Sequence, residues 1–223
     1  MRKILRSIVI SDTHNQHNKL NFSSFNDSDI DMIIHCGDFS NDTESTSNNF
    51  IEWYGNLPYK YKILIAGNHD KYAFENNEDF KRICKELDII YLEDSSITIE
   101  GVKFYGTPWV TDVGDQSFMM DDFELSEIWD KIPLDTNILI THTPQAYVLD
   151  TFYDGNNEYN VGSRTLSEAM NNFTQLRFHL FGHVHGDYGE TDENYSDLDY
   201  LSINAASPNN YVVGLNKPFI IEI

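Results

Sequence analysis

Five short apolar runs recur along the chain, and each is followed at once by polar side chains that can bind a metal or carry a proton. The runs lie at 4–10, 31–36, 62–66, 137–141 and 177–181. Runs of this length, rich in Ile, Leu and Val, are typical of strands buried on both faces of a sheet. Because ligands in open α/β sheets collect beyond the carboxyl ends of the strands, we predict that the polar residues after these runs share one edge.

Apolar residues at helical spacing lie between several of these runs and predict helices. The predicted helices cover about 50–57, 77–87, 124–129 and 163–173. In the second of them, Phe80, Ile83 and Leu87 follow the pattern of an amphipathic helix. Segment 15–29 is predicted to be a loop with at most a short helix, segment 150–162 is predicted to be an exposed loop, and 40–49 is polar and low in complexity.

Strands follow one another directly in two later parts of the chain. After a short strand at 88–92, a strand pair at 96–100 and 102–105 turns at Gly101. Three more short strands are predicted at 200–204, 211–215 and 219–223. Because this succession replaces the earlier alternation of strand and helix, the sequence predicts a second sheet, and we expect residues 1–223 to form a single domain.

The composition favours a folded protein with an acidic surface. A net charge of −21 over 223 residues repels phosphate backbones, which argues against stable nucleic-acid binding through a basic face. Cys36 lies in a predicted strand and Cys84 on the apolar side of a predicted helix, so we expect buried free thiols. No apolar run has the length of a signal-peptide core or a membrane span, and we expect a cytoplasmic protein without membrane contact.

The polar residues after the five runs form a set of candidate ligands and proton carriers. They are Asp12, His14, Asp38, Asn68, His69, Asp70, His142, His183 and His185. Imidazole nitrogens mixed with oxygen donors suit divalent cations of intermediate hardness, whereas soft sites use cysteine. Two such cations that share a carboxylate acidify a bound water and bind the oxygens of a phosphoryl group. The neutral amide of Asn68 adds an oxygen ligand without a further charge that would repel phosphate.

The order of these motifs resembles the calcineurin-like metallophosphoesterase superfamily. The blocks that carry the resemblance are Asp12-Thr13-His14, Gly37-Asp38, Gly67-Asn68-His69-Asp70, Thr141-His142 and Gly182-His183-Val184-His185. Within the superfamily, the chain is similar over nearly its full length to the small metallophosphoesterase-domain proteins of the brain-protein group. That likeness rests on Ser11-Asp12-Thr13-His14, Gly37-Asp38-Phe39-Ser40-Asn41, Gly106-Thr107-Pro108-Trp109, residues 181–185 with Gly189, and Asn204-Ala205.

The resemblance implies an α/β fold, a four-layer α/β/β/α sandwich of two mixed sheets with a dinuclear metal site at the carboxyl ends of the strands. It implies a first metal held by Asp12, His14, Asp38 and His185, and a second held by Asp38, Asn68, His142 and His183, with Asp38 as the bridge. We favour manganese, and iron, zinc, cobalt or nickel would accept the same ligands. His69 would contact the phosphate and protonate the leaving oxygen, Asp70 would orient His69, and a metal-bridging hydroxide would attack.

The expected function is hydrolysis of phosphodiester or phosphomonoester bonds in small, nucleotide-like substrates. A nuclease of the same superfamily is one alternative, although the sequence shows no basic groove or DNA-binding appendage. A non-catalytic metal-binding adaptor is another, although an adaptor would be expected to have lost ligands that this chain retains. The block at Asp38 lacks the Asp-Arg pair of serine/threonine protein phosphatases. Asn15 and Thr143-Pro144-Gln145 depart from the pattern of the close group, which bears on substrate fit.

Several residues also have a plain structural interpretation. We expect His17 to be a partly exposed loop histidine, with a substrate contact as the alternative, and His35 and His179 to be core histidines. Asp70 could cap a following helix instead of orienting His69. The candidates for the wall of a substrate cleft, with core packing as the alternative, are Trp109, Asp112, Phe118, Tyr147 and Phe152.

Overall fold

The computed structural model describes residues 4–22, 27–111, 114, 116–191, 198–208 and 214–223, which form two mixed sheets flanked by helices. The strands are β1 (Arg6–Ile10), β2 (Met32–Cys36), β3 (Tyr61–Ile65), β4 (Ile90–Tyr91), β5 (Ser95–Ile99), β6 (Val102–Thr107), β7 (Val110–Thr111), β8 (Met119–Met120), β9 (Ile138–Thr141), β10 (Thr151–Tyr153), β11 (Glu158–Asn160), β12 (Phe178–Phe181), β13 (Gly189–Glu190), β14 (Leu201–Asn204) and β15 (Phe219–Glu222). The α-helices are α1 (Glu44–Gly55), α2 (Lys71–Glu75), α3 (Asn77–Glu86), α4 (Asp122–Trp129) and α5 (Arg164–Met170). Short 3₁₀ turns lie at His17–Lys19, Asp27–Asp29 and His185–Asp187.

The two large sheets each have a parallel centre and an antiparallel edge. The first has the order β15-β1-β2-β3-β4, in which β15 alone runs antiparallel to its neighbour. The second has the order β13-β14-β12-β9-β6-β5, with antiparallel strands at both edges. The parallel strands of each sheet therefore end at one edge, as the sequence predicted.

The alternation of side chains along the central strands divides the core into three layers. In β3, Ile63 and Ile65 pack between the two sheets, whereas Leu64 packs under the helices α1 to α3. In β9, Ile138 packs between the sheets and Leu139 packs under α4 and α5. Because both faces of both sheets are covered, the molecule is a four-layer α/β/β/α sandwich, which confirms the predicted fold class.

The observed elements differ from the predicted ones mainly in polar segments. Helix α1 begins at Glu44, six residues before the predicted start, because the Thr43 hydroxyl caps a polar first turn by accepting from the Thr46 amide. The loop predicted at 150–162 contains the antiparallel pair β10 and β11. Residues 209–213, which cover most of the strand predicted at 211–215, lie outside the described residues.

Two simpler expectations can also be compared with the structure. Cys36 and Cys84 are buried free thiols, as predicted. Within the described ranges, every helix is too short or too polar to cross a membrane.

Candidate metal centre

The candidate ligands converge at the edge where the parallel strands of both sheets end. Asp12, Asp38 and Asn68 follow β1, β2 and β3 of the first sheet, while His142 and His183 follow β9 and β12 of the second. A cavity of about 540 Å³ opens there. Its lining residues include Asp38, Asn68, His69, Gln116, Phe152 and His183. The tertiary structure therefore gathers residues that lie far apart in the chain around one cavity.

One cluster of ligand atoms is formed by Asp12, His14 and His185. Nε2 of His185 lies 3.2 Å from Oδ1 of Asp12 and 3.2 Å from Nε2 of His14. The main-chain amide of His183 donates to both oxygens of Asp12, at 3.1 and 3.0 Å. The three ligand atoms lie within 4.8 Å of one another, a spacing that allows one cation to contact all of them.

A second cluster is formed by Asp12, Asp38 and His142, so that Asp12 belongs to both. Oδ2 of Asp38 lies 3.3 Å from Nε2 of His142 and 3.7 Å from Nε2 of His14. Nδ1 of His142 donates to the carbonyl oxygen of Cys36 at 2.8 Å, which fixes the ring with Nε2 facing Asp38 as the candidate ligand nitrogen. The amide of His69 donates to Oδ1 of Asp38 at 2.8 Å and fixes that carboxylate.

Two buried polar atoms at this edge support a cation site. Oδ1 of Asn68 and Nε2 of His142 have no hydrogen-bond partner among the described residues. A buried polar atom without a partner is costly, and a bound cation would satisfy Oδ1 of Asn68 and, in place of a proton, Nε2 of His142. The donor set of carboxylate, imidazole and amide oxygen also suits the divalent cations named above. The residues present therefore fit a metal centre.

The buried carboxylates remain charged despite their burial. Burial raises the pKa of Asp38, but the charge of His142 and its contact with the carboxylate outweigh this and hold that pKa well below the usual range. Burial likewise raises the pKa of Asp12, and the His185 hydrogen bond and the His142 charge bring it below the usual range. Burial lowers the pKa of His142, but the Asp38 charge raises it to about 9. A cation at Nε2 of His142 therefore competes with a proton.

The local backbone is adapted to bring these side chains together. Asp12, Asp38 and His183 adopt positive φ angles of 53°, 57° and 68°, which are unusual outside glycine and cluster at functional sites. A side chain at Gly182 would overlap the carboxylate of Asp12, and one at Gly67 would overlap the carboxylate of Asp38. Glycine is therefore required at both positions, because the carboxylates of Asp12 and Asp38 occupy the space that a side chain would need.

The contact predicted between Asp70 and His69 is not present, and this part of the prediction is corrected. Asp70 is fully buried, and its Oδ2 accepts from the amides of Asp38 and Gly67 at 2.8 Å while Oδ1 accepts from Ser40 at 2.9 Å. Nor does its side chain cap α2, although Asp70 occupies the N-cap position. Burial and then the Asp38 charge raise the pKa of Asp70 to about 7. Asp70 instead ties the two loops after β2 and β3 together.

Two further residues contact His69, and neither was predicted from the sequence. Oδ2 of Asp42 lies 3.0 Å from Nδ1 of His69, and Nε2 of Gln116 lies 3.2 Å from Nε2 of His69. The only sequence signal for Asp42 was its place four residues after Asp38 in a polar segment. Gln116 lies in a segment without periodicity, and nothing in the sequence distinguished it.

The remaining histidines are structural. His17 is only 1% exposed and packs 4.7 Å from the ring of Trp53, so the expected partly exposed loop histidine is wrong. His35 contacts the Thr13 hydroxyl at 3.0 Å and His179 contacts the Thr141 hydroxyl at 2.8 Å, both fully buried. Burial lowers the pKa of each to about 3, which keeps them neutral, and both are core histidines as predicted.

The residues considered for the cleft wall divide between the cavity and the core. Phe152 lines the cavity and is 51% exposed. Phe118 is buried in the core, and the partly buried Trp109 packs against it with ring centroids 5.7 Å apart. Tyr147 is exposed but does not line the cavity, and Asp112 lies outside the described residues.

Two mixed sheets between helical layers, with Asp and His ligands gathered where strands of both sheets end, define a protein of the metallophosphoesterase class. A sequence model of the family described as calcineurin-like phosphoesterase matches residues 5–187. The chain belongs to this family, which confirms the resemblance drawn from its motifs.

The chain is also similar to individual members. A UPF0046 protein of Caenorhabditis elegans is 33% identical over 98% of this chain and 75% of that protein. Metallophosphoesterase domain-containing protein 1 of Homo sapiens is 31% identical over 98% of this chain and 71% of that protein. The solved structure of phosphopantetheinyl hydrolase from Mycobacterium tuberculosis has a TM-score of 0.59 over 100% of this chain and 97% of that chain. At 11% identity, that likeness shows the fold alone.

Proposed function

We propose that this protein is a dinuclear metal-dependent phosphoesterase that hydrolyses small, nucleotide-like phosphodiesters or phosphomonoesters. The observation that carries the proposal is the position of Asp38 between the two clusters: its Oδ2 lies 3.7 Å from Nε2 of His14 and 3.3 Å from Nε2 of His142. Asp12 belongs to both clusters, and His69 lines the cavity beside them. Membership of the calcineurin-like phosphoesterase family supports the same reaction class.

The proposed ligands of the first cation are Asp12, His14, Asp38 and His185, and those of the second are Asp38, Asn68, His142 and His183. When bound, two such cations would supply an acidified water and neutralise charge on the phosphoryl oxygens. We propose manganese as the cation, with iron, zinc, cobalt or nickel as alternatives that the same donor atoms accept.

The protein's own contribution to the chemistry centres on His69. Its side chain is 32% exposed, so a substrate in the cavity can reach it. Asp42 accepts from Nδ1 of His69 and orients the ring, and Nε2, which faces the amide nitrogen of Gln116 at 3.2 Å, is the atom that would carry the proton to the leaving oxygen. Asp70 accepts from the main-chain amide of Asp38, and the amide of His69 donates to Oδ1 of Asp38. These two contacts fix the carboxylate with Oδ2 directed at His142.

The cavity favours a small substrate that carries a flat ring. Its volume of about 540 Å³ is in the range of small-molecule sites. Phe152 lines it and offers a half-exposed aromatic surface on which a base can stack. A net charge of −21 opposes the approach of long polyanions and speaks against a nuclease. We propose no stable nucleic-acid partner.

The test is hydrolysis of bis-p-nitrophenyl phosphate and p-nitrophenyl phosphate by chelator-treated protein, before and after Mn²⁺ is restored. We expect turnover only with metal. Asp38→Asn should lose bound metal, whereas His69→Ala should keep two ions and lose about 10²- to 10⁴-fold in turnover. Asp154→Asn, an exposed carboxylate outside the cavity, is the control.

Other outcomes would select the alternatives. Efficient cleavage of single-stranded DNA would favour the nuclease. Two bound ions without turnover of any small phosphoester would favour the adaptor, and no stoichiometric metal in any divalent ion would overturn the proposal itself.

A further inference from the structure

The amide of Gln116 joins two of the residues at the centre of the site. Its Oε1 accepts from Nδ2 of Asn68 at 2.6 Å, and its Nε2 lies 3.2 Å from Nε2 of His69. Gln116 follows β7 in the chain and lies 48 residues from Asn68 in sequence. Neither the family motifs nor the ligand clusters include it.

This contact determines which end of the Asn68 amide is free. The nitrogen end of an asparagine amide cannot bind a cation, because only the oxygen carries a lone pair for it. With Nδ2 of Asn68 engaged by Gln116, Oδ1 is left buried without a hydrogen-bond partner among the described residues. If the Asn68 amide alone were reversed, its oxygen would face the oxygen of Gln116, and two acceptors would oppose each other. If both amides were reversed, Oδ1 of Asn68 would accept from Gln116 and would no longer be free for a cation.

The main chain of the segment that carries Gln116 also contacts Asn68. The amide of Ser117 donates to the carbonyl oxygen of Asn68 at 3.2 Å. The next residue, Phe118, is buried, and its carbonyl oxygen accepts from the amide of Val110 at 2.9 Å. Gln116 is therefore held at Asn68 by main-chain contacts and by the packing of Phe118, although its own side chain is exposed.

We propose that Gln116 is a positioning residue for the second cation: it holds the Asn68 amide with Oδ1 directed to the metal and Nδ2 directed away. This role rests on the proposed dinuclear function. An outer hydrogen-bond partner of a metal ligand typically contributes 10- to 100-fold to metal affinity, because it removes the cost of orienting the ligand.

The test is the titration of chelator-treated protein with Mn²⁺ by calorimetry, with bound metal counted by elemental analysis. Gln116→Met keeps the length of the side chain and removes the acceptor. We expect it to weaken the second Mn²⁺ site by about 10- to 100-fold and to leave the first unchanged. Gln175→Met, an exposed glutamine before the amino end of β12 and so at the opposite end of that strand from the site, is the matched control and should bind as wild type.

A double-mutant cycle separates orientation of the amide from general damage to the loop. In Asn68→Asp, the ligand is a carboxylate that presents an oxygen in either orientation. Gln116→Met should therefore have little effect on Mn²⁺ affinity in that background, and the two substitutions should be strongly non-additive.

The results of these titrations distinguish the positioning role from the proposed function. If wild-type protein binds two Mn²⁺ ions and Gln116→Met binds them equally well, the positioning role is wrong and the dinuclear centre stands. If Gln116→Met costs the same affinity with and without the Asn68→Asp substitution, the positioning role is also wrong. If wild-type protein binds fewer than two ions, the dinuclear proposal fails and this role fails with it.

Discussion

Oδ2 of Asp42 lies 3.0 Å from Nδ1 of His69, and the main-chain amide of Asp42 donates to the carbonyl oxygen of His69 at the same distance. The hydroxyl of Ser40 donates to that carbonyl oxygen as well, at 3.0 Å. The loop after β2 therefore holds both the backbone and the ring of the proposed acid, and the acid–orienter pair is formed by residues 27 positions apart.

Asp42→Asn should lower kcat by about 10- to 100-fold and leave metal content unchanged. The reason is that a neutral amide orients the ring but no longer stabilises its protonated form. Steady-state kinetics with elemental analysis measure both quantities, and Glu52→Gln on α1, an exposed carboxylate, is the control. A kcat equal to wild type would remove Asp42 from the proposed mechanism.

Asp70→Asn should lower the stability of the folded protein, because Asp70 contacts backbone amides and not His69. The asparagine NH₂ group would face one of the backbone amides that now donate to the carboxylate, which leaves buried donors unsatisfied at a cost of about 1–3 kcal/mol. In a chain of this size, the midpoint of thermal unfolding should fall by roughly 2–12 °C. The measurement is calorimetry of metal-free protein. Asp42→Asn should leave this midpoint nearly unchanged, and equal losses in the two variants would contradict the separate roles of these aspartates.

Phe152→Ala should weaken the binding of substrates that carry a base. Loss of one stacking contact of about 1–3 kcal/mol corresponds to an increase in KM of roughly 5- to 150-fold for a cyclic nucleotide. The KM for glycerol phosphate, which has no ring, should not change. Tyr153→Ala is the matched control, because Tyr153 is exposed on the same strand but does not line the cavity. Equal KM changes for both substrates would argue against base stacking on Phe152.

His179 should make the protein less stable in acid. Burial lowers its pKa from 6.5 to about 3 in the folded state. Its contribution to stability is therefore complete above pH 6.5 and is lost as the pH falls towards 3, because the unfolded chain binds the proton first. His179→Gln can still donate to the Thr141 hydroxyl but does not titrate. Between pH 6 and 4, the free energy of unfolding should fall less steeply in the variant, by about 1.4 kcal/mol per pH unit. The measurement is denaturant unfolding of both proteins at several pH values. If the free energy of unfolding fell equally steeply with pH in wild type and variant, His179 would not be the group responsible.

The local sequence is informative where a buried strand is followed by polar residues. Asp12, Asp38 and His142 could be identified because each follows an apolar run directly, and the end of a buried parallel strand fixes where the next residue lies. The start of α1 was placed too late because its first turn is polar and is defined by the hydroxyl of Thr43. The hairpin of β10 and β11 was missed because both strands are short and exposed.

By itself, the sequence determined the two sheets, the edge that carries the site and the identity of the candidate ligands, since apolar periodicity and strand-end motifs are local properties of the chain, and the family resemblance of those motifs implied the sandwich. Only the tertiary structure decided which side chains meet. Asp70 binds backbone amides, Asp42 contacts His69, and Gln116 contacts Asn68 across 48 residues. Such contacts join polar loops that carry no periodic signal, and their partners are set by how the strands beneath them pack.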